Sequence, residues 1–237
     1  MNILPTITTT FNANWKGKIK EVQLFDLEEV ALFPTCLDKN ERRGLYDLIS
    51  KSGIKSIPFV HLREDMEVQE LEFFIKKYNT QIFCVHSAQV YPIPLEWIKY
   101  ASIIAIENTS AGGFDEKEIK RFGGICLDFA HLENDRITNL EKFNHDFALL
   151  NKFPVRCNHI SAVKKEFKIG KDEKLKYDSH SFESLPEFDY LKKYSLGLFS
   201  DFCALELENS IRDQLKVKEY ILKTLQGRDA YIKKFFK

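Results

Sequence analysis

Six histidines occur in the 237 residues, and five of them, His61, His86, His131, His159 and His180, end short apolar runs or lie in the segments that follow them. Carboxylates occupy the same stations. Glu107 stands in Ile-Glu-Asn-Thr, Asp128 in Cys-Leu-Asp-Phe-Ala-His with His131 three residues on, Asp178 in Asp-Ser-His ahead of His180, and Glu206 in Ala-Leu-Glu-Leu-Glu-Asn. A single histidine at such a place is ordinarily structural, and a single aspartate there is commonly a helix cap. Nine of them at successive stations point instead to a shared task, the binding of divalent cations. Imidazole nitrogen beside carboxylate oxygen suits zinc, with manganese or iron as further options, and argues against a calcium or magnesium cage of oxygen alone. Carboxylates crowded together repel, and one or more must protonate unless cations neutralise them. The competing reading is a polar network without metal. His145, in Phe-Asn-His-Asp, falls in a helical stretch and reads as a surface or packing residue.

These residues meet only if the elements carrying them open on one face. Short apolar runs alternate with longer amphipathic ones, the signature of βαβ units around a parallel sheet. Eight strands are expected, at Ile3–Thr9, Val30–Pro34, Ile54–His61, Gln81–His86, Ser102–Glu107, Gly124–Asp128, Val155–His159 and Phe202–Glu206. Helical spacing of apolar residues marks Lys39–Lys51, Glu67–Tyr78, Leu140–Asn151 and Ile211–Leu225, whereas a first helix near Trp15–Phe25 is poorly patterned. Near-continuous apolar strands suit a sheet buried on both faces. The expectation is an α/β fold, one (β/α)8 TIM barrel domain over residues 1–237, with an open doubly wound sheet as the alternative. In such a barrel the loops after the strands all open on one side, so distant residues converge there. Pro5, Pro34, Pro58 and Pro154 lie in or beside strands and foretell shifted boundaries or bulges. Lys164–Lys176 holds six lysines among few apolar residues and reads as a long solvated loop, or as one that contacts phosphate.

Composition narrows the partners. Lys plus Arg (35) cancel Asp plus Glu (35), so no global field draws the chain to nucleic acid or an anionic membrane, and any polyanion has to be held locally. Met1–Thr6 has no basic segment ahead of an apolar run, and nothing later approaches the ~18 apolar residues of a membrane span. A cytoplasmic protein without a membrane partner is expected, and no protein partner is deducible. The five cysteines (Cys36, Cys84, Cys126, Cys157 and Cys203) form no CxxC pair and sit in or beside strand-like runs. They read as reduced, buried small residues.

At its chemistry-bearing residues the chain resembles the endonuclease IV family of apurinic/apyrimidinic (AP) endonucleases, within the xylose-isomerase-like barrels. Glu107-Asn108-Thr109-Ser110-Ala111-Gly112 resembles that family's Glu-Asn-Thr-Ala-Gly, Leu127-Asp128-Phe129-Ala130-His131 its Asp-x-x-His, Asp178-Ser179-His180-Ser181 its Asp-x-His-His-Ser, and Leu205-Glu206-Leu207-Glu208-Asn209 its Leu-Glu-Thr-x-Asn. The resemblance implies three zinc ions. His61, His86 and Glu107 would hold the first, Glu107, Asp128, His159 and Glu206 the second, and His131, Asp178 and His180 the third, with Glu107 bridging two. Glu206 and Glu208 are two apart and share a strand face, so either could supply the last ligand, and the spacing to Asn209 favours Glu206. The implied reaction is hydrolysis of DNA on the 5′ side of an abasic nucleotide, with Glu107 and Glu206 as the catalytic carboxylates and Arg63 and Asn108 as substrate contacts. Wedge loops of that family have no evident counterpart here, and Leu132-Glu133-Asn134-Asp135 is acidic. The runner-up is a sugar or sugar-phosphate isomerase or epimerase using one divalent ion on Glu107, Asp128, His159 and Glu206, which would leave His61, His86, Asp178 and His180 without work. Another metal-dependent hydrolase and a non-catalytic binding module complete the alternatives.

Overall fold

Strands form where β-branched and aromatic residues run together, and four of them end on His61, His86, Glu107 and Asp128. The computed structural model describes residues 1–109, 111–170 and 173–235, the backbone only from 227 onward; Ser110 of the Glu107–Gly112 motif and Lys171 of the lysine-rich segment lie outside the described residues. The strands are β1 (Asn2–Leu4), β2 (Thr6–Thr8), β3 (Ala31–Phe33), β4 (Phe59–His61), β5 (Ile82–His86), β6 (Ile104–Glu107), β7 (Ile125–Asp128), β8 (Val155–Ile160), β9 (Ala162–Ile169), β10 (Leu175–Ser179) and β11 (Phe202–Leu205). The helices are α1 (Trp15–Leu24), α2 (Lys39–Ser50), α3 (Val68–Tyr78), α4 (Glu116–Arg121), α5 (Phe129–Thr138), α6 (Leu140–Leu150) and α7 (Ile211–Phe235). Among the described residues no helix is long and apolar enough to cross a membrane.

Nine strands make one parallel sheet in the order β1-β11-β8-β7-β6-β5-β4-β3-β2. Its two ends are consecutive pieces of a single strand, interrupted at Pro5, which has no N–H to give a ladder. The Pro5 carbonyl still accepts from Ala31 N at 2.9 Å. Because β1 pairs with β11 and β2 pairs with β3, the sheet closes on itself as an eight-stranded α/β barrel, and the open-sheet alternative is excluded.

Residues two apart on a strand share a face, and that rule builds the interior in layers. Phe59 lies below His61, Cys84 below His86, Ala105 below Glu107, Cys126 below Asp128, Cys157 below His159 and Ala204 below Glu206. The lower members, with Leu4, Ala31, Phe33 and Ile82, form a small buried cluster of their own. The alternate residues, among them Val60, Phe83, Val85, Ile106, Leu127 and Leu205, belong to the larger core between barrel and helices. Burial on both sides explains why the strands read as unbroken apolar runs.

Several expectations change. Lys164–Lys176 is not a loop: it supplies most of the antiparallel hairpin β9/β10, with a register shift between Lys176 and Asp178. A 3-10 segment, Leu95–Ile103, replaces a helix before β6, and two more, Leu185–Lys193 and Leu196–Leu198, precede β11. Ile54–His61 shrinks to Phe59–His61, with Ser56 left as an isolated bridge to Glu29. Pro58 cannot donate, but its carbonyl accepts from Ile82 N at 3.1 Å.

Candidate metal centre

The strand ends bring the chemistry together from six strands. Glu107, at the end of β6, is 1% exposed. Its Oε2 lies 2.8 Å from His61 Nε2 and 3.7 Å from His86 Nε2, and its Oε1 lies 3.2 Å from His159 Nδ1. His159 Nδ1 is also 3.4 Å from Glu206 Oε2 and 3.9 Å from Asp128 Oδ2. Two groups follow whose ligand atoms lie within 4.8 Å of one another: His61, His86 and Glu107, and Glu107, Asp128, His159 and Glu206. Glu107 belongs to both.

Local structure sets each side chain. Asp128 caps α5, its Oδ1 accepting from His131 N at 2.7 Å. The cap consumes one oxygen and leaves Oδ2 buried, without a hydrogen bond, facing the other ligands. His61 Nδ1–H donates to the Leu62 carbonyl at 2.7 Å, so Nε2 is the nitrogen presented to Glu107. Asn108, expected as a substrate contact, is fully buried; its Nδ2 donates to Asp128 O at 3.0 Å and its Oδ1 accepts from Asp128 N at 2.7 Å. It pins β6 to β7 at the level of the ligands. Arg63 does line the cavity, but its Nη1 donates to Leu37 O at 3.0 Å and its Nε lies 3.1 Å from Asp65 Oδ1, so much of its donor capacity is already used.

The remaining predicted ligands are split. His131 Nδ1 lies 3.2 Å from Asp178 Oδ2, yet His131 Nδ1 and Asp178 Oδ1 are both buried without a well-directed hydrogen bond. His180 Nε2 lies 3.7 Å from Glu206 Oε1. Among the described residues His131, Asp178 and His180 do not form a group of the tightness of the other two. Of the two eighth-strand candidates, Glu206 is the one whose side chain reaches His159.

The electrostatics follow from burial and crowding. Burial alone would raise the Glu107 carboxyl, but His159, His86 and His61 hold it well below its ordinary value. Burial pushes Asp128 up to about 6, with Glu206 and Glu107 adding to the rise against His131 and His159. Burial likewise lowers His86 to about 4. Burial would lower His131 too, but the Asp128 and Asp178 carboxylates raise it to about 10. These residues fit a divalent metal: orphaned buried donors and acceptors are costly unless a further group engages them, and the donor set is mixed nitrogen and oxygen.

Above the ligands is a cavity of about 490 Å³, lined by His61, His86, Glu107, His131, His180 and Glu206, with Thr10, Phe11 and Tyr91 towards its rim. Phe11 is 91% exposed, and Tyr91 stacks on His86 at 5.9 Å between ring centroids. A larger cleft of about 780 Å³ runs beside it along β10 and the α5–α6 junction, and none of the nine ligand candidates lines it. Sequence reasoning passed over Phe11, Thr10 and Cys36 in the mouth, and Cys84 beneath it. Cys84 carried a signal, since it stands two residues before His86 on the same strand face.

Barrel and centre together define the class, an α/β barrel whose strand ends gather histidines and carboxylates. No family model and no curated protein matches the sequence. Among solved structures, a protein described as a putative xylose isomerase from Rhodospirillum rubrum is 16% identical, with 96% of this chain and 99% of that one covered and a TM-score of 0.44. A D-tagatose 3-epimerase-like protein is 14% identical, with 97% and 99% covered and a TM-score of 0.43.

Proposed function

We propose that this chain is a metal-dependent phosphodiester hydrolase, with a zinc centre of two or three ions and abasic DNA as substrate. The observation that carries this reading is Glu107, one buried carboxylate shared by two ligand groups, an arrangement that suits adjacent ions and that a one-ion site does not need. Its first group would be His61, His86 and Glu107, its second Glu107, Asp128, His159 and Glu206. His131, Asp178 and His180 are the proposed holders of a third. Bound divalent ions supply a lowered water pKa and charge uptake at the phosphoryl oxygens. Glu107 and Glu206, the proposed catalytic carboxylates, would stay ionised at the cavity floor, Glu107 because His159, His86 and His61 surround it, and would hold the ions there. Arg63 and Tyr91 at the rim would orient the substrate, and Phe11 would shield the mouth from water. The hairpin β9/β10 ends at Asp178 and Ser179, and its Lys174 and Lys176 line the larger cleft beside the ligand cavity rather than the cavity itself.

A second reading has its own observation. Glu107, Asp128, His159 and Glu206 already form a self-contained, fully buried set of four, enough for one ion and an isomerase or epimerase that moves a proton beside a carbonyl. Elemental analysis of the purified protein, paired with incision of an abasic-site duplex and with aldose–ketose exchange, separates the two. Two or more ions per chain with incision on the 5′ side is expected. One ion per chain with sugar exchange and no incision would replace the first reading by the second.

A further inference from the structure

We infer that Cys84 is a positioning residue for His159: its sulfur accepts a hydrogen bond from the Nε2–H and thereby leaves Nδ1 as the nitrogen presented to a cation. The inference rests on the metal reading above. His159 is fully buried, and its two nitrogens face different surroundings. Nδ1 faces three carboxylates, Glu107 at 3.2 Å, Glu206 at 3.4 Å and Asp128 at 3.9 Å. Nε2 points down the barrel, where Cys84 Sγ lies at 3.3 Å. The rings of Phe33 and Phe59 flank the imidazole, at 4.6 and 5.4 Å between centroids, and supply no acceptor. A neutral imidazole carries one N–H, and a buried N–H without an acceptor is costly. With Nδ1 turned to a cation, the proton belongs on Nε2, and Cys84 Sγ lies within hydrogen-bond reach of it at 3.3 Å, with the Cys126 thiol also beside the ring.

A metal-bound histidine ordinarily gives its second N–H to a carboxylate, a carbonyl or water, which fixes the tautomer and the ring orientation. His61 follows that pattern through the Leu62 carbonyl. His159 sits one layer above apolar residues, in a barrel whose strand carbonyls are committed to ladders, so a side chain must serve. Cys84 is on β5 and His159 on β8, with β6 and β7 between them in the sheet. The contact is therefore a tie across the barrel, and it holds the ring plane against rotation out of the carboxylate ring. Cys84, Cys126 and His159 form a third buried group, with both sulfurs and a His159 nitrogen within 4.8 Å of one another.

The test compares Cys84→Ala, Cys84→Ser and Cys157→Ala with the wild type. Cys157 is a thiol equally buried in the same layer, so its removal leaves a similar void without touching the proposed bond. Zinc affinity is read by competition with a chromophoric chelator, and the Nε2–H of His159 by 15N NMR of histidine-labelled, zinc-loaded protein. Cys84→Ala should weaken one class of zinc site about tenfold, at the low end for partners of metal-bound histidines because sulfur is a weak acceptor. Cys84→Ser, which restores an acceptor, should stay within about threefold of wild type, and Cys157→Ala should bind as wild type does. The wild type should show one slowly exchanging Nε2–H, shifted in Cys84→Ser. Unchanged affinity in a folded Cys84→Ala, or an equal loss in Cys157→Ala, overturns the inference. If Cys84→Ala does not fold, a loaded wild type without a protected Nε2–H overturns it on its own. A wild type that takes up no zinc overturns the metal reading itself, an outcome distinct from the others.

Discussion

Glu107→Gln is the substitution that most directly separates a shared ligand from two independent ones. It keeps the shape of the side chain and removes its charge. His61 contributes to one ligand group, whereas Glu107 contributes to both, so the ratio of their effects is set by the geometry. A ligand that binds only the native state stabilises it by about 2.7 kcal/mol at a free concentration of 100 times Kd. Two ions at that level give about 5.4 kcal/mol, and for a chain of 150–250 residues each kcal/mol moves Tm by about 2–4 °C. Zinc should therefore raise the wild-type Tm by roughly 11–22 °C. His61→Ala should keep about half of that rise, and Glu107→Gln almost none. The assay is scanning calorimetry of each protein with and without zinc, alongside elemental analysis. Using the difference made by metal within one protein cancels any change in intrinsic stability. If Glu107→Gln keeps the same zinc-induced rise as His61→Ala, the two groups do not share an ion-bridging carboxylate and the reasoning fails.

Other consequences are open to measurement. His180→Ala should cut phosphodiester turnover by more than the ~10–100-fold typical of residues that only support a ligand, and unchanged turnover would remove His180 from the centre. Asn108→Ala should destabilise the protein by about 2–4 kcal/mol in urea unfolding, because two buried backbone groups of Asp128 lose their partners; a loss under about 0.5 kcal/mol would contradict the clamp. Arg42 is fully buried against Glu70 and Asp65, and Arg42→Met should cost about 3–5 kcal/mol by leaving Glu70 unpaired. Burial would raise the Glu70 carboxyl, but Arg42 and Tyr46 hold it below its ordinary value. Its contribution is therefore present above the unfolded value of about 4.3 and is lost as pH falls through the lower native one. Acid should accordingly destabilise the wild type more steeply than Arg42→Met, and equal acid slopes in the two proteins would refute the assignment.

The strand ends were legible because two periodicities coincide there. His86, Glu107, Asp128 and His159 each close an apolar run, and β5 to β8 stop at or within one residue of them. What the sequence hid is of a different kind. In Lys164–Lys176 the charges mask an alternation, since Phe167 and Tyr177 meet across the hairpin at 6.1 Å while Lys168 and Lys176, paired across the two strands, lie on the other face. Alternation also left Glu206 and Glu208 equivalent, but β11 stops at Leu205, and a tight turn follows in which Leu207 N donates to Leu205 O at 2.9 Å. The turn breaks the period, and Glu206 alone keeps to the inner face. Asn108 was misplaced for a third reason: its partner lies 20 residues on, and no local pattern announces a bond that only the pairing of β6 with β7 creates.

That last bond bears on how three acids can be gathered in an apolar interior at all. Glu107, Asp128 and Glu206 are all buried, and crowding them opposes folding unless other contacts hold the strands. The contacts present are neutral amides. Asn108 ties β6 to the backbone of Asp128, and Asn158, the neighbour of His159, donates to Leu198 O at 3.0 Å and accepts from Ser200 N at 2.7 Å, securing the entry to β11. Because an amide's bonds do not depend on protonation, these ties persist whatever charge the carboxylates carry. The ligand strands are thereby fixed in advance, so the free energy of binding a cation need not go into assembling the barrel mouth.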